Sequence, residues 1–238
     1  METLELTVNE VIDIVANNDM VGHGSYGIVY KLDDDTLFKF KYKEFAQNFN
    51  VVDNKYQTRQ LNDFSHTIKE KKLDYELMGV ENPNFSIEQL INLQDNIKLT
   101  KLTKGLVMVD GYCVGYLLHY HKDMVPLYDY IKNNEVSQET KTTLQENIIN
   151  AVKELCENKI FKLDLTTKNI LVNPNTLEVQ IIDFEDEWTK VNEGYNNKYN
   201  LNDVKRRLEE ICGFVSGKYQ EDVFLNRHFG QGKEIIVE

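Results

Sequence analysis

The feature that most constrains this chain is the run Gly22-His23-Gly24-Ser25-Tyr26-Gly27, followed directly by Ile28-Val29-Tyr30. A G-x-G-x-x-G run that serves a dinucleotide-binding fold follows a strand and opens a helix. Here the residues of strand composition come after the glycines, so the run belongs in a β-turn-β unit. Glycine at such positions lets backbone N–H groups approach a phosphate with no Cβ in the way. Taken alone, the motif is also open to the plainer reading of a flexible turn.

The β pattern continues downstream. Asp33-Asp34-Asp35 makes a polar turn, and residues 37–42 alternate apolar side chains with lysine. Three adjacent aspartates fit a solvated hairpin tip better than a metal site, because turns favour Asp. Lys39 and Lys41 fall on one face of that strand, so alternation does not separate them, and a solvated strand face is the simpler reading of either alone. Residues 55–79 are charged, with Ile68, Leu73 and Leu77 among them, and read as an exposed helix. Residues 86–92 read as another, with Ser86 as N-cap and Gln89 three residues on. Asp110-Gly111 between two apolar runs is a two-residue hairpin signal.

Past residues 119–126 the pattern turns helical, which divides the chain into expected domains 1–118 and 119–238. Residues 137–158 carry Leu144, Ile148, Val152 and Leu155 on one helical face. Residues 170–172 and 179–182 form a second hairpin across Asn173-Pro174-Asn175, and residues 202–212 form a final helix.

Composition sets the broad class. The 238 residues carry 27 Lys+Arg against 39 Asp+Glu, a net charge of −12, with 41% apolar residues. That is a globular chain of one domain or two close lobes, at about 150 residues per domain. The acid excess argues against a nucleic-acid partner and against docking on anionic membranes. Cys113, Cys156 and Cys212 are far apart without C-x-x-C spacing, and read as buried small hydrophobes, not disulfides or zinc ligands. The first residues lack a basic-then-apolar leader, and no stretch approaches the ~18 apolar residues of a membrane span. The expectation is a soluble, cytoplasmic protein.

Two further motifs carry chemistry. The stretch Phe161-Lys162-Leu163-Asp164-Leu165-Thr166-Thr167-Lys168-Asn169-Ile170-Leu171 follows the amphipathic helix and precedes a strand, placing Asp164 and Asn169 on one loop. Ile181-Ile182-Asp183-Phe184 puts a carboxylate directly after an apolar strand, where Asp also serves as a plain turn initiator. Two carboxylates and a carboxamide converging near a glycine loop can hold Mg²⁺ with nucleotide phosphates and accept a hydroxyl proton.

With these four motifs in order, residues 20–213 resemble the protein-kinase-like superfamily, as a small, truncated Ser/Thr protein-kinase-like protein of bacterial or viral type. The resemblance implies an α+β, two-lobed protein-kinase-like fold with a β-rich N-lobe and a mainly helical, shortened C-lobe. It implies that Gly22, Gly24, Ser25 and Gly27 cover the phosphates of ATP, that Val29 and Leu37 roof the adenine, and that Leu171 floors it. Lys39 would bind the α- and β-phosphates and pair with a helix glutamate, Glu88 in preference to Glu70 or Glu76. That choice makes residues 43–84 an insertion. Asp164 would orient the acceptor hydroxyl and take its proton, and Asn169 and Asp183 would ligate Mg²⁺. Residues 116–121 would form the hinge between lobes, and Asp203 would sit on the helix that buttresses the catalytic loop.

The chain departs from the family in several places. Phe161 and Lys162 are read as standing where the family has His and Arg, which removes the usual anchor for a phosphorylated activation loop. Glu185 replaces the glycine after Asp-Phe, and Leu37 replaces a small alanine. The segment 183–203 is short and lacks A-P-E, so the peptide-docking platform is expected to be largely missing. The implied activity is ATP- and Mg²⁺-dependent transfer of the γ-phosphate to a hydroxyl. A protein Ser/Thr substrate comes first, and a small-molecule acceptor a close second. The alternatives are a pseudokinase that binds nucleotide or a partner without turnover, and, third, a nucleotide transferase on the same fold.

Overall fold

The computed structural model describes residues 2–24, 27–52, 55–58, 61–78, 85–185, 189–191 and 197–219. The chain divides into two compact units, residues 1–92 with 102–122, and residues 93–101 with 123–238. Each mixes strands and helices, and the protein is α+β.

The first unit runs β1 (Glu2–Glu5), α1 (Val8–Asn17), β2 (Met20–His23), β3 (Ile28–Lys31), β4 (Thr36–Phe40), the single-turn α2 (Tyr42–Phe45), β5 (Phe49–Val52), β6 (Lys55–Thr58), α3 (Leu61–Leu77), α4 (Phe85–Asn92), β7 (Gly105–Val109) and β8 (Tyr112–His119). Among the described residues, six of these strands form one sheet in the order β1-β7-β8-β4-β3-β2. β1 joins β7 in parallel and the other neighbours are antiparallel. β5 and β6 pair with each other.

Local chemistry accounts for the turns. Asp33 Oδ1 accepts the N–H of Asp35 at 2.8 Å, which closes the β3–β4 tip. Asp110 and Gly111 have φ of 50° and 74°, the two positive values that a primed hairpin turn requires. Helix α1, unread in the sequence, opens with a capping box. Thr7 N donates to Glu10 Oε2 at 2.7 Å, and Glu10 N donates to Thr7 Oγ1 at 3.3 Å. These hydrogen bonds hold the Glu10 carboxyl below its ordinary range.

The sheet separates two apolar faces. Tyr30, Phe38, Phe40, Val107 and Leu117 project to one side, where Val11 and Val15 of α1 and Phe64 and Ile68 of α3 cover them. Leu106, Cys113 and Tyr116 project to the other, where Ile87 and Ile91 of α4 pack on them. The reading of residues 55–79 as an exposed helix needs correction. Residues 55–58 are a strand, α3 begins at Leu61, and Phe64 and Ile68 are 0% and 1% exposed. Residues 43–84, expected as an insertion without an assigned purpose, contribute to the core through their described residues. The Phe40 ring has Phe45, Phe49 and Phe64 at 5.6, 5.1 and 6.2 Å between centroids, so the segment supplies part of the main core. Ser86 lies inside α4, which starts at Phe85, and is not its cap. Residues 116–119, expected in a hinge, remain in β8 because Thr36–Lys39 of β4 pair with them.

The second unit comprises β9 (Val125–Pro126), α5 (Leu127–Asn133), α6 (Gln138–Glu157), β10 (Ile160–Lys162), β11 (Ile170–Val172), β12 (Val179–Ile181), β13 (Thr189–Val191) and α7 (Asn197–Ser216). Strands pair in the orders β12-β11-β9 and β10-β13. Ser137 caps α6, its Oγ accepting Thr140 N at 3.1 Å, and Leu144, Ile148, Val152 and Leu155 are buried as the spacing expects. α6 packs on α7, β10 and β12. Two side chains fasten the segment 93–101 to this unit. Glu154 accepts the N–H groups of Lys98 and Leu99 at 3.0 and 2.8 Å, and Gln180 Oε1 accepts that of Lys101 at 2.9 Å. α7 extends beyond the expected residues 202–212 at both ends. The three cysteines are unpaired, and burial pushes the Cys156 thiol up to about 11. Among the described residues no helix is long and apolar enough to cross a membrane.

Gly115 tests how tightly the sheet is packed. A Cβ there would lie 2.4 Å from Phe38 Cε2 and 2.5 Å from the Lys39 carbonyl oxygen. Gly115→Ala is therefore expected to cost about 1–3 kcal/mol, read as a lower urea midpoint at unchanged m-value.

Candidate functional site

The residues named from the sequence divide into two groups, one in each unit. In the first, Gly22 pairs with Val29 and His23 with Ile28, and Gly24 N–H donates to the Gly27 carbonyl at 2.9 Å. Ser25 lies outside the described residues. A Cβ at Gly22 or Gly24 would meet nothing within 4 Å, so packing does not demand glycine at either position. Gly27 differs. A Cβ there would lie 2.7 Å from the Phe40 carbonyl oxygen and 3.3 Å from Lys39 Cγ. The third glycine thus lets the turn rest on the stem of Lys39.

The two lysines that alternation leaves equivalent have different surroundings. Lys41, past the end of β4, pairs with Glu44 at 2.9 Å, donates to the Cys113 carbonyl at 3.3 Å, and lies 5.5 Å from the Tyr112 ring centroid. Glu44 also accepts the Tyr112 hydroxyl at 2.5 Å, and burial together with this carboxylate pushes the phenol well above its ordinary value. Lys41 is a structural cation. Lys39 is half-buried under Gly27, with Val29 and Tyr116 as its cross-strand neighbours. Leu37, 9% exposed, lies two residues before it on the same face.

The three candidate glutamates lie on two helices that cover opposite faces of the sheet. α4, carrying the half-buried Glu88, packs through Ile87 and Ile91 on Tyr116, and so covers the sheet face that bears Lys39. α3 covers the opposite face. On that helix Glu70 is exposed with His66 Nδ1 at 3.5 Å, and Glu76 is exposed.

In the second unit, β10 leads into Asp164 and Asn169 precedes β11. Asn169 N–H donates to the Thr166 carbonyl at 3.1 Å, which tightens the loop. Its Nδ2 donates to Asp164 Oδ2 at 3.2 Å and to the Asp164 carbonyl at 3.3 Å. With the amide nitrogen engaged, Oδ1 is the atom left to serve a cation. Ile170 pairs with Ile181, and Ile182 N–H donates to the Asn169 carbonyl at 2.9 Å, so Asn169 and Asp183 stand at one end of the hairpin. Asp183 has φ of 68°, a left-handed conformation that Asp tolerates better than most residues and that tends to mark functional positions. Leu171 is half-buried, opposite Gln180 on one side and Pro126 on the other. Glu185 keeps φ out of the left-handed region, so its position does not require glycine.

The residue that sequence reasoning undervalued is Lys162. Counting back from Asp164, the His and Arg positions of H-R-D fall on Lys162 and Leu163, not on Phe161 and Lys162. Lys162 is 2% exposed, with its ammonium 2.6 Å from Asp164 Oδ1. It also donates to the Asp183 carbonyl and lies 5.9 Å from the Phe184 ring centroid. A single lysine inside the apolar run Ile160-Phe161-Lys162-Leu163 was the available signal. Phe161, 4% exposed, is a core residue.

α7 packs on β10, the strand that delivers Asp164. Asp203 is exposed and pairs with Arg206 of its own helix at 3.3 Å, so α7 supports the unit through buried residues such as Val204 and Ile211. Among the described residues no three His, Cys, Asp or Glu side chains are grouped to hold a metal unaided. One amide oxygen and one carboxylate, from Asn169 and Asp183, fit a cation that also takes phosphate oxygens, as Mg²⁺ does. No family model matches the chain, and no curated protein matches it.

The glycines make separable predictions. Gly27→Ala is expected to lose about 1–3 kcal/mol, because backbone and the Lys39 stem must move. Gly22→Ala and Gly24→Ala are expected to stay within about 0.5 kcal/mol of the parent in urea unfolding.

Proposed function

We propose that this protein is an ATP- and Mg²⁺-dependent phosphotransferase of the protein-kinase-like superfamily. It moves the γ-phosphate to a hydroxyl, first of all that of a protein Ser or Thr. The two units are then its N- and C-lobes, the second one shortened. The observation that carries this reading is the joint arrangement of Asp164, Asn169 and Asp183. Asn169 turns its amide nitrogen to Asp164 and stands at the same hairpin end as Asp183. A proton acceptor is thereby tied to a pair of oxygen donors. Gly27 seated on Lys39, and α4 with Glu88 on the Lys39 face, are the supporting features of the first unit.

The roles follow from the chemistry of each group. The N–H groups of the glycine turn and the Lys39 ammonium offset phosphate charge, and Glu88 is the partner that orients Lys39. Val29 and Leu37 supply apolar contact for the base. Bound Mg²⁺, held by Asn169 Oδ1 and the Asp183 carboxylate, would neutralise charge on the phosphate oxygens. In the transfer, the acceptor oxygen bonds to the γ-phosphorus while the bond from that phosphorus to the β,γ-bridging oxygen breaks. ADP leaves with the bond's electron pair, and the hydroxyl proton passes to Asp164. Oδ2, which also accepts the Asn169 amide, is the receiving atom, because Oδ1 is buried against the Lys162 ammonium.

A second reading is a nucleotide-binding module without turnover, and the ammonium against Asp164 Oδ1 is the observation that favours it. Asp164→Ala separates the two. For a phosphotransferase, the substitution is expected to lower γ-phosphate transfer by about 10²–10⁴-fold while ATP with Mg²⁺ still raises the melting temperature. A module without turnover shows that stabilisation and no transfer in either form. Transfer undiminished in the Ala variant removes Asp164 from the chemistry.

A further inference from the structure

A lysine that is 2% exposed is uncommon, because removing its charge from water is costly unless partners replace the lost hydration. Lys162 has those partners, and they come from two loops. One is the Asp164 carboxylate, at 2.6 Å from its own loop. The other is the Asp183 carbonyl, from the loop after β12, and the face of the next residue, Phe184, lies alongside. Phe184 is 1% exposed and anchors that second loop in the core. The backbone of Lys162 is fixed as well, since Phe161 and Lys162 pair with Lys190 and Thr189 of β13. The ammonium therefore joins the loop bearing the proton acceptor to the loop bearing a candidate metal carboxylate, from a strand that cannot easily shift.

We infer that Lys162 is the positioning residue of this site. It holds Asp164 so that Oδ2 faces the acceptor hydroxyl, and it holds Asp183 in its left-handed conformation so that the carboxylate meets the cation. The inference rests on the phosphotransferase reading and adds to it a buried positive charge as the element that spaces the two carboxylates. Lys162 touches neither acceptor nor phosphate. It acts through Asp164 and Asp183.

The test uses the full chain as wild type and as Lys162→Met, Lys162→Gln and Lys162→His. Three quantities are read: γ-phosphate transfer to casein or to the chain itself, KM for ATP, and the Mg²⁺ concentration giving half-maximal thermal stabilisation by a non-hydrolysable ATP analogue. The Met variant is expected to lose about 10²-fold in kcat, as misplaced reacting groups do. Its Mg²⁺ midpoint is expected to rise about 10-fold, as when a supporting partner of a metal ligand is removed. KM for ATP should stay within about threefold, since Lys39 and the glycine turn are untouched. The His variant, which keeps an N–H donor, should regain most of both losses. A merely structural role would lower the folded fraction and leave the Mg²⁺ midpoint unmoved. If the Met variant does not fold, the Gln variant, which keeps N–H donors without the charge, is read by the same criteria. A folded Met or Gln variant with wild-type kcat and Mg²⁺ midpoint overturns the inference and leaves the phosphotransferase reading standing. If the wild type binds the analogue with Mg²⁺ but transfers nothing, the Mg²⁺ midpoint alone decides. If the wild type shows neither stabilisation nor transfer, that reading fails and the inference fails with it.

Discussion

The candidate site of the second unit depends on the buried positive charge of Lys162. An ammonium in a low-dielectric interior costs several kcal/mol unless anions or carbonyl oxygens surround it. Lys162 meets that cost with Asp164 and the Asp183 carbonyl, and each partner is thereby fixed in turn. Asn169 adds a second tie to Asp164, and its own carbonyl receives Ile182 N–H. The result is a closed circuit from β10 through the Asp164 loop, along β11 and β12, and back through Asp183. The left-handed Asp183 is held by the Lys162 ammonium on its carbonyl and by the buried Phe184 that follows it.

The first unit depends on a different constraint, the use of both faces of one sheet. Aromatic side chains of β3 and β4, with α1 and α3, fill one face. The other is covered by a smaller cluster under α4 and carries Lys39. This partition gives Lys39 and Lys41 different fates even though both alternate onto the same strand face. Lys41, one residue past the strand, is drawn to Glu44 and the tyrosine rings. Lys39 stays within the ladder, where the Cβ-less Gly27 can lie against it.

Features set by adjacent residues were legible in the sequence. The Asp33 turn, the Asp110-Gly111 hairpin and the apolar face of α6 all follow from local chemistry, and the structure contains each of them. The hairpin that brings Asn169 and Asp183 to one end was legible for the same reason. What escaped notice depends on distant partners. The preference for Glu88 makes residues 43–84 an insertion with no assigned purpose, whereas Phe45, Phe49 and Phe64, dispersed among polar residues, meet around Phe40. Lys162 looked like a substituted family position because its anionic partner two residues on and its carbonyl partner at Asp183 become neighbours only after β10, β11 and β12 form. Which sheet face each of the helices bearing Glu70, Glu76 and Glu88 covers is a property of the sheet and not of any sequence window. The Thr7-x-x-Glu10 cap, by contrast, was there to be read.

On the proposed reading, the first unit supplies main-chain donors and Lys39 to offset phosphate charge, and the second supplies Asp164 as proton acceptor with Asn169 and Asp183 as oxygen donors. The net charge of −12 does not oppose the proposed nucleotide, because Lys39 and a cation would supply the compensating charge locally. The most direct test is incubation of the purified chain with γ-labelled ATP and Mg²⁺, followed by mass spectrometry of the chain and of added lysate acceptors. The account expects labelled phosphate esters on Ser or Thr, or on a small-molecule hydroxyl, that disappear in the Asp183→Ala form. Label that persists unchanged in that form, or no label on any acceptor despite nucleotide binding, would contradict it.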